Sequence, residues 1–286
     1  MGAPANLDVE QVIDLSRYPL HDPGGPAWHT AVEQIRAELA ADGCSVVPDF
    51  IRPELHEALR TEGAAVAPLA HYDLETVNVY NIDVDGSLPA DHPARIPLRR
   101  ENAFTARDRI PAETIIHRLY RNQAFQAFLA ACFGLPTIYE LADPLAGLVL
   151  NVVAPGMGHP WHFDTNEFAV SLLTQEPDRG GVFEYCPEIR SAHAENFADV
   201  RAVVEGRDRH RVRGLTLRPG DLQLFRGRYA LHRVTPVTGE KQRHTAIFSY
   251  CERPGILGNA ARTRQLFGRV LPTHRAGAAR ADALLD

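Results

Sequence analysis

From residue 136 to residue 251 the chain is a succession of short β-forming runs: "TIYEL", "GLVLNVV", "FAVSLLTQ", "GVFEY", "VRGLTL", "DLQLF", "RYALHRVTPV" and "HTAIFSYCE". Pro-Gly, Gly-Gly and Pro-Gly-Asp signals break them apart. Many short strands between such turns leave few folds open, a sandwich or a barrel. No internal repeat is present.

The segment before this run is helical. "PAWHTAVEQIRAELAADG" (26–43) begins with Pro, spaces Ala31, Val32, Ile35 and Leu39 as an apolar stripe, and stops at Gly43. "CSVVPDF" (44–50) follows as a short strand, and 53–66 reads as a second helix. Residues 70–110 are Pro- and charge-rich without clear periodicity. They read as long loops with some strand, and 66–110 as a lid over a pocket. Residues 111–134 read as one more helix, with Phe125, Phe128, Leu129 and Cys132 as a core stripe and Gly134 as its stop. Helices first and strands after predict an α+β chain whose helices pack outside a β-core. The expected division is one domain over 1–286: a helix-and-loop flank to 135, the β-core over 136–255, and a C-terminal extension over 256–286. Its Ala-rich tail, 276–286, is read as a peripheral helix or a frayed end.

A net charge of -6 gives no general attraction to nucleic acid or to anionic lipid. The four arginines of "EGRDRHRVRG" (205–214) read as a solvated hairpin loop, and Asp221 as a turn residue. No stretch of 18 apolar residues is present to span a bilayer. The first fifteen residues lack the basic-then-apolar layout of a secretory signal. Cys44, Cys132, Cys186 and Cys251 are far apart and form no C-x-x-C pair. The expectation is a cytoplasmic protein with reduced, mostly buried thiols, a monomer or homodimer with a small-molecule partner and no nucleic-acid or membrane partner.

"GHPWHFDTNEF" (158–168) crowds two histidines and an aspartate into six positions. On an extended backbone His162 and Asp164 point to the same side and can share a metal. The best third ligand is His232, seventy residues on and also in a strand-like run. Two histidines and a carboxylate on one face of a metal leave the other face open, as in non-haem Fe(II) oxygenases. Arg243 follows eleven residues after His232. On a regular strand Arg243, Thr245, Ile247 and Ser249 share a face, and an inward arginine needs an anion, which a dicarboxylate supplies.

H-x-D, a distant His and an Arg about ten residues beyond it resemble the iron(II)/2-oxoglutarate-dependent oxygenases with a double-stranded β-helix (jelly-roll, cupin-like) core. Three segments are similar to one subgroup, the radical halogenases of free amino acids and their hydroxylase relatives. They are "ADPLAGLVLNVVAPGMGHPWHFDTNEFAVSLLTQ", "GGVFEYCPEIRS" and "PGDLQLFRGRYALHRVTPVTG". The similarity runs over roughly residues 110–270. It implies His162, Asp164 and His232 as iron ligands, Arg243 as the 2-oxoglutarate anchor, and Fe(II), 2-oxoglutarate and O₂ as cofactors; Thr245, on the same strand face as Arg243, is a further candidate contact to the co-substrate. In those halogenases a small residue replaces the aspartate and chloride takes its slot. This chain keeps Asp164, so the resemblance implies hydroxylation of an unactivated C–H in a small polar substrate, a free amino acid or derivative.

Candidate substrate residues are His159, three positions before His162, Asn166, which continues the period-two face of His162 and Asp164, and Ser249 on the Arg243 face. Of the pair in "PLRREN", Arg100 rather than Arg99 is the candidate clamp for a substrate carboxylate. Arg228 reads as a structural ion pair, and Arg233 as pointing away from the metal. Two alternatives stay open. The same cofactor chemistry can desaturate, cyclise or epimerise. The barrel could instead be a non-catalytic cupin-like binding protein.

Overall fold

The computed structural model describes residues 8–84, 86–166, 168–276 and 284–285. Most of the C-terminal tail, and with it the reading of that tail, lies outside the described residues.

Seven helices are present among the described residues: α1 (Val9–Val12), α2 (Pro26–Asp42), α3 (His56–Val66), α4 (Ile115–Arg121), α5 (Gln123–Phe133), α6 (Phe197–Val204) and α7 (Ala260–Phe267). The start and stop signals of α2 act as read. Pro26 opens the helix, and Gly43 takes the left-handed conformation (φ 65°), its N–H closing back on the Leu39 carbonyl. The helix expected over 111–134 is two helices. Asn122 adopts extended backbone, ends α4 and caps α5 by accepting a hydrogen bond from the Phe125 N–H. An Asn side chain competes well for a helix's first free donors, so it starts a new helix rather than extending the old one.

Two antiparallel sheets form the β-core. The larger has seven strands, in the order β1 (Cys44–Val47), β11 (Leu222–Phe225), β7 (Ala169–Gln175), β14 (Arg243–Phe248), β5 (Leu148–Val153), β3 (Leu98–Thr105) and β2 (His71–Val77). The smaller has four: β10 (Arg213–Leu215), β9 (Phe183–Cys186), β12 (Leu231–Val234) and β6 (His159–His162). Two short ribbons pair β8 (Arg179–Gly180) with β13 (Val237–Thr238), and β4 (Tyr139–Glu140) with β15 (Tyr250–Cys251). The architecture is the α+β jelly roll.

Register sorts the side chains of the large sheet. Leu148, Leu150, Val152, Val170, Leu172, Leu222, Leu224, Ala246 and Phe248 share the outer face and pack with Val32, Ile35, Leu39, Leu59, Phe125 and Leu129 from the helices. The alternate residues Asn151, Val153, Arg243, Thr245, Ile247, Gln223 and Phe225 face the interior between the sheets.

Within residues 70–110 a long, largely irregular stretch over 78–97 joins two strands, β2 and β3, which extend the large sheet through β5. Asp73, Glu75 and Arg100 sit on the inner face of these strands, which removes the polar-out alternation that marks a half-buried strand. Between the two strands, Val79, Tyr80 and Ala94 pack behind the small sheet on Trp161, Phe163, Leu231 and Val200. Arg207, Arg209 and Arg211 lie in a surface loop and pair with Glu205, Glu184 and Asp208, while Arg213 opens β10 and pairs with Asp42. Asp221 is a turn residue, accepting from the Arg218 N–H and bracing β1 through the Asp49 N–H.

Candidate metal centre

The small sheet brings the distant histidines together. His232 on β12 is directly opposite His162 on β6, with ring centroids 4.1 Å apart. Each ring is fixed from behind by its own strand. His162 Nδ1 lies 2.8 Å from the Pro160 carbonyl and His232 Nδ1 2.9 Å from the Ala230 carbonyl. A carbonyl only accepts, so both Nδ1 atoms carry the hydrogen and both Nε2 lone pairs are free. Asp164 Oδ1 lies 3.5 Å from His232 Nε2 and 3.9 Å from His162 Nε2. All three ligand atoms lie within 4.8 Å of one another.

Asp164 reaches this point from outside the strand. β6 ends at His162, and the Asp164 N–H donates to the Gly227 carbonyl at 3.1 Å. The period-two geometry therefore does not carry it, nor Asn166, which lies in the bend that follows. A backbone contact to the β11–β12 connection sets the aspartate instead. A Cβ at Gly227 would fall 1.8 Å from Asp164 Oδ2, so only glycine leaves room for the carboxylate. Arg228, buried next to it, donates to the Thr165 carbonyl at 3.0 Å and braces the same bend. Arg233 points away from the triad, paired with Glu184 and stacked on Trp161.

Electrostatics keep the donor set ready for a cation. Burial, with the neighbouring His159 and His232, holds the His162 imidazole well below its usual range, so it is neutral at pH 7. Burial works against the Asp164 carboxylate, but His232, His162 and Arg262 outweigh it and hold its pKa below the usual aspartate value. Two imidazoles whose Nε2 atoms converge on one carboxylate fit a divalent first-row metal. Phe183 and Phe225 shield the His232 ring, at 5.5 and 4.9 Å.

Arg243 and Thr245 lie on the inner face of β14, 4% and 5% exposed, and the guanidinium donates to the Thr245 hydroxyl. Among the described residues no carboxylate pairs with Arg243. Burial pulls its pKa to about 10, which still leaves it charged at pH 7. A buried, charged guanidinium without a counter-ion is costly unless an anion joins it.

His159 stacks flat on His162, centroids 3.9 Å apart and planes 8° apart, and accepts at Nδ1 from the Asn102 amide at 3.2 Å. Its Nε2–H is therefore the free donor. Arg100 is inward-facing on β3 and 1% exposed, whereas Arg99 is exposed and pairs with Glu101. Ser249 lies past the end of β14, where its carbonyl accepts from the Tyr120 hydroxyl. Gly227, Asn102, Asp73, Glu75 and Arg262 were not legible as site residues. Each is brought in by pairing or by a loop remote in sequence, and none carries a spacing that announces it.

The fold, the triad and the orphaned arginine together define the class: Fe(II)/2-oxoglutarate oxygenases, whose cofactors are Fe(II), 2-oxoglutarate and O₂. The chain belongs to the Halogenase D family, which it matches over residues 28–262. Its fold is similar to that of SnoN, a non-heme alpha ketoglutarate dependent epimerase from nogalamycin biosynthesis (TM-score 0.53, 15% identity, 88% of this chain and 96% of that one). It is also similar to a prolyl hydroxylase from Trichoplax adhaerens in complex with a hypoxia inducible factor peptide (0.52, 14%, 79% and 90%). A third such fold is AviO1 from Streptomyces viridochromogenes Tue57 (0.51, 17%, 78% and 95%). At these identities the likeness is one of fold. A search among curated proteins returned no significant match. No helix among the described residues is long and apolar enough to cross a membrane.

Proposed function

We propose that the chain, as one oxygenase domain over 1–286, hydroxylates an unactivated C–H bond of a small polar substrate, a free amino acid or close derivative. The overall reaction takes substrate C–H, O₂ and 2-oxoglutarate to C–OH, succinate and CO₂. Fe(II) with its co-substrate supplies the oxidising chemistry. His162, Asp164 and His232 would hold the metal. Arg243 and Thr245 would bind the distal carboxylate of 2-oxoglutarate, since a guanidinium matches a carboxylate bidentately. Arg100 would orient the substrate through its carboxylate, with His159 Nε2–H, Asn166 and Ser249 as further polar contacts. Position then decides which carbon reacts. Four free thiols support a reducing, cytoplasmic setting.

The observation that carries hydroxylation over halogenation is Asp164. As a metal ligand it would fill the position that chloride takes in the halogenases this chain resembles, and Gly227 leaves room for it. The test is an amino-acid library incubated with Fe(II), 2-oxoglutarate, O₂ and excess chloride. The expected product gains one oxygen in step with succinate formation. A chlorinated product from the unmodified protein would overturn the assignment.

A further inference from the structure

Between His162 and Asp164, Phe163 buries its ring in the apolar cluster behind the small sheet, with Val79, Tyr80, Trp161 and Leu231. Tyr80 stacks on that ring at 5.6 Å, and the Arg190 guanidinium carbon lies 3.9 Å from its centroid. Arg190 is fully buried, and it also reaches the connection that seats Asp164. Its Nε donates to the Arg228 carbonyl at 2.7 Å and its backbone N–H to the Tyr229 carbonyl at 3.3 Å. These residues directly follow Gly227, whose carbonyl accepts from the Asp164 N–H, and Arg228 donates onward to the Thr165 carbonyl. One guanidinium therefore touches both the residue before Asp164 and the segment to which Asp164 is bonded.

Two partners hold Arg190 in place. Glu195 Oε2 lies 3.2 Å from its Nη1. The Leu285 carbonyl, 95 residues on, accepts from the same Nη1 at 2.9 Å. The Leu285 N–H donates to Glu195 Oε1 at 2.7 Å, so one ion pair satisfies both backbone groups of Leu285. The Leu285 side chain packs on the cluster that contains Phe163. Asn196 closes the loop that carries the pair, its amide donating to the Ile189 carbonyl at 2.9 Å.

A well-packed apolar residue fills buried space without the desolvation cost of an ion pair, so stability alone does not call for Arg190. What a guanidinium adds is direction. Its planar fork meets acceptors on several segments at once, which a lysine ammonium on a flexible stem does not. Resting on the metal-centre reading above, we infer that Arg190 is a positioning residue for Asp164 and that Leu285 locks it in place. The carboxylate ligand is thereby set from behind by a residue near the far end of the chain, which itself touches none of the three ligands.

The test compares Arg190→Lys, Leu285→Pro and, as a control, Leu172→Ala in the full-length protein. Arg190→Lys keeps the charge that faces Glu195 and loses the fork. Leu285→Pro leaves Arg190 intact and removes the N–H that Glu195 accepts. The first readout is anaerobic Fe(II) titration of the folded protein. The second is hydrogen exchange over residues 163–165 in the metal-free protein. Arg190→Lys should bind Fe(II) about tenfold or more weakly, and Leu285→Pro about threefold or more weakly. Both should speed exchange over 163–165 by about tenfold, because the segment opens locally. Leu172→Ala destabilises the opposite face of the large sheet and should keep wild-type Fe(II) affinity. Should Arg190→Lys not fold, Leu285→Pro carries the same two readouts. Either readout at its wild-type value in Leu285→Pro overturns the inference. So does an Fe(II) affinity in Leu172→Ala that falls as far as in Leu285→Pro, since the effect is then one of lost stability. If the wild type binds no Fe(II), the metal-centre reading falls, and exchange in the metal-free protein still decides whether Arg190 and Leu285 hold the Asp164 segment.

Discussion

On the outer face of the seven-stranded sheet, Leu150, Leu172, Leu222 and Leu224 close against helix side chains and complete one another. On the inner face two arginines are just as buried: Arg243 pairs with no carboxylate among the described residues, and Arg100, though paired with Asp73 and Glu75, leaves its Nε and Nη1 without hydrogen-bond partners. Strand alternation places the two kinds of residue one position apart. The difference separates what holds the fold from what the fold holds. Apolar burial stabilises by itself. Polar burial without partners costs stability and persists where a ligand repays it.

The sharpest way to break this contrast is on the inner side. Asp164→Ala should leave the melting temperature nearly unchanged and drop succinate formation below about 1% of wild type. Removing a residue that only orients a ligand already costs 10–100-fold, and this removes a ligand itself. Retained turnover would mean the triad is not the metal site. The outer face should respond in the opposite way. Leu172→Ala should cost about 2–5 kcal/mol in chemical denaturation, with iron affinity of the folded protein unchanged.

His244 sharpens the comparison, because it is a titratable group on the outer face. Burial pulls its pKa from 6.5 to about 4. The unfolded chain therefore binds a proton more readily than the folded one between those values. The stability that His244 contributes as a neutral ring is full above pH 6.5 and is lost as pH falls towards 4. The loss is on the order of 3 kcal/mol across that window. His244→Met should flatten the acid limb of a stability-against-pH curve, and an unchanged limb would show that other groups dominate it. The smallest effect is expected at Gly227→Ala. The added methyl displaces Asp164, and Fe(II) affinity should fall about 10–100-fold in an anaerobic titration, with the fold intact.

The outer face was readable from the chain because its period-two apolar pattern in "GLVLNVV" and "DLQLF" is uninterrupted. His162, His232 and Arg243 were readable because each sits on a strand with a spacing tied to that chemistry. Asp164 was readable as a ligand but not in its backbone setting, since the Gly227 carbonyl that ends the strand is 63 residues away. β2 and β3 were obscured for a physical reason. Asp73, Glu75, Arg100 and Asn102 put charge and amide where a strand's buried side normally shows apolar residues, so the alternation vanished. Arg262 gave no local sign, because only the packing of α7 on β2 and β3 brings it to the site.

The central claim is that Arg243 is buried to meet an anion. The direct measurement is anaerobic calorimetric titration of 2-oxoglutarate into Fe(II)-loaded wild type and Arg243→Met. One equivalent per chain should bind in the wild type, and the variant should bind about a hundredfold more weakly while being no less stable without ligand. Equal affinity in the two proteins would contradict the account.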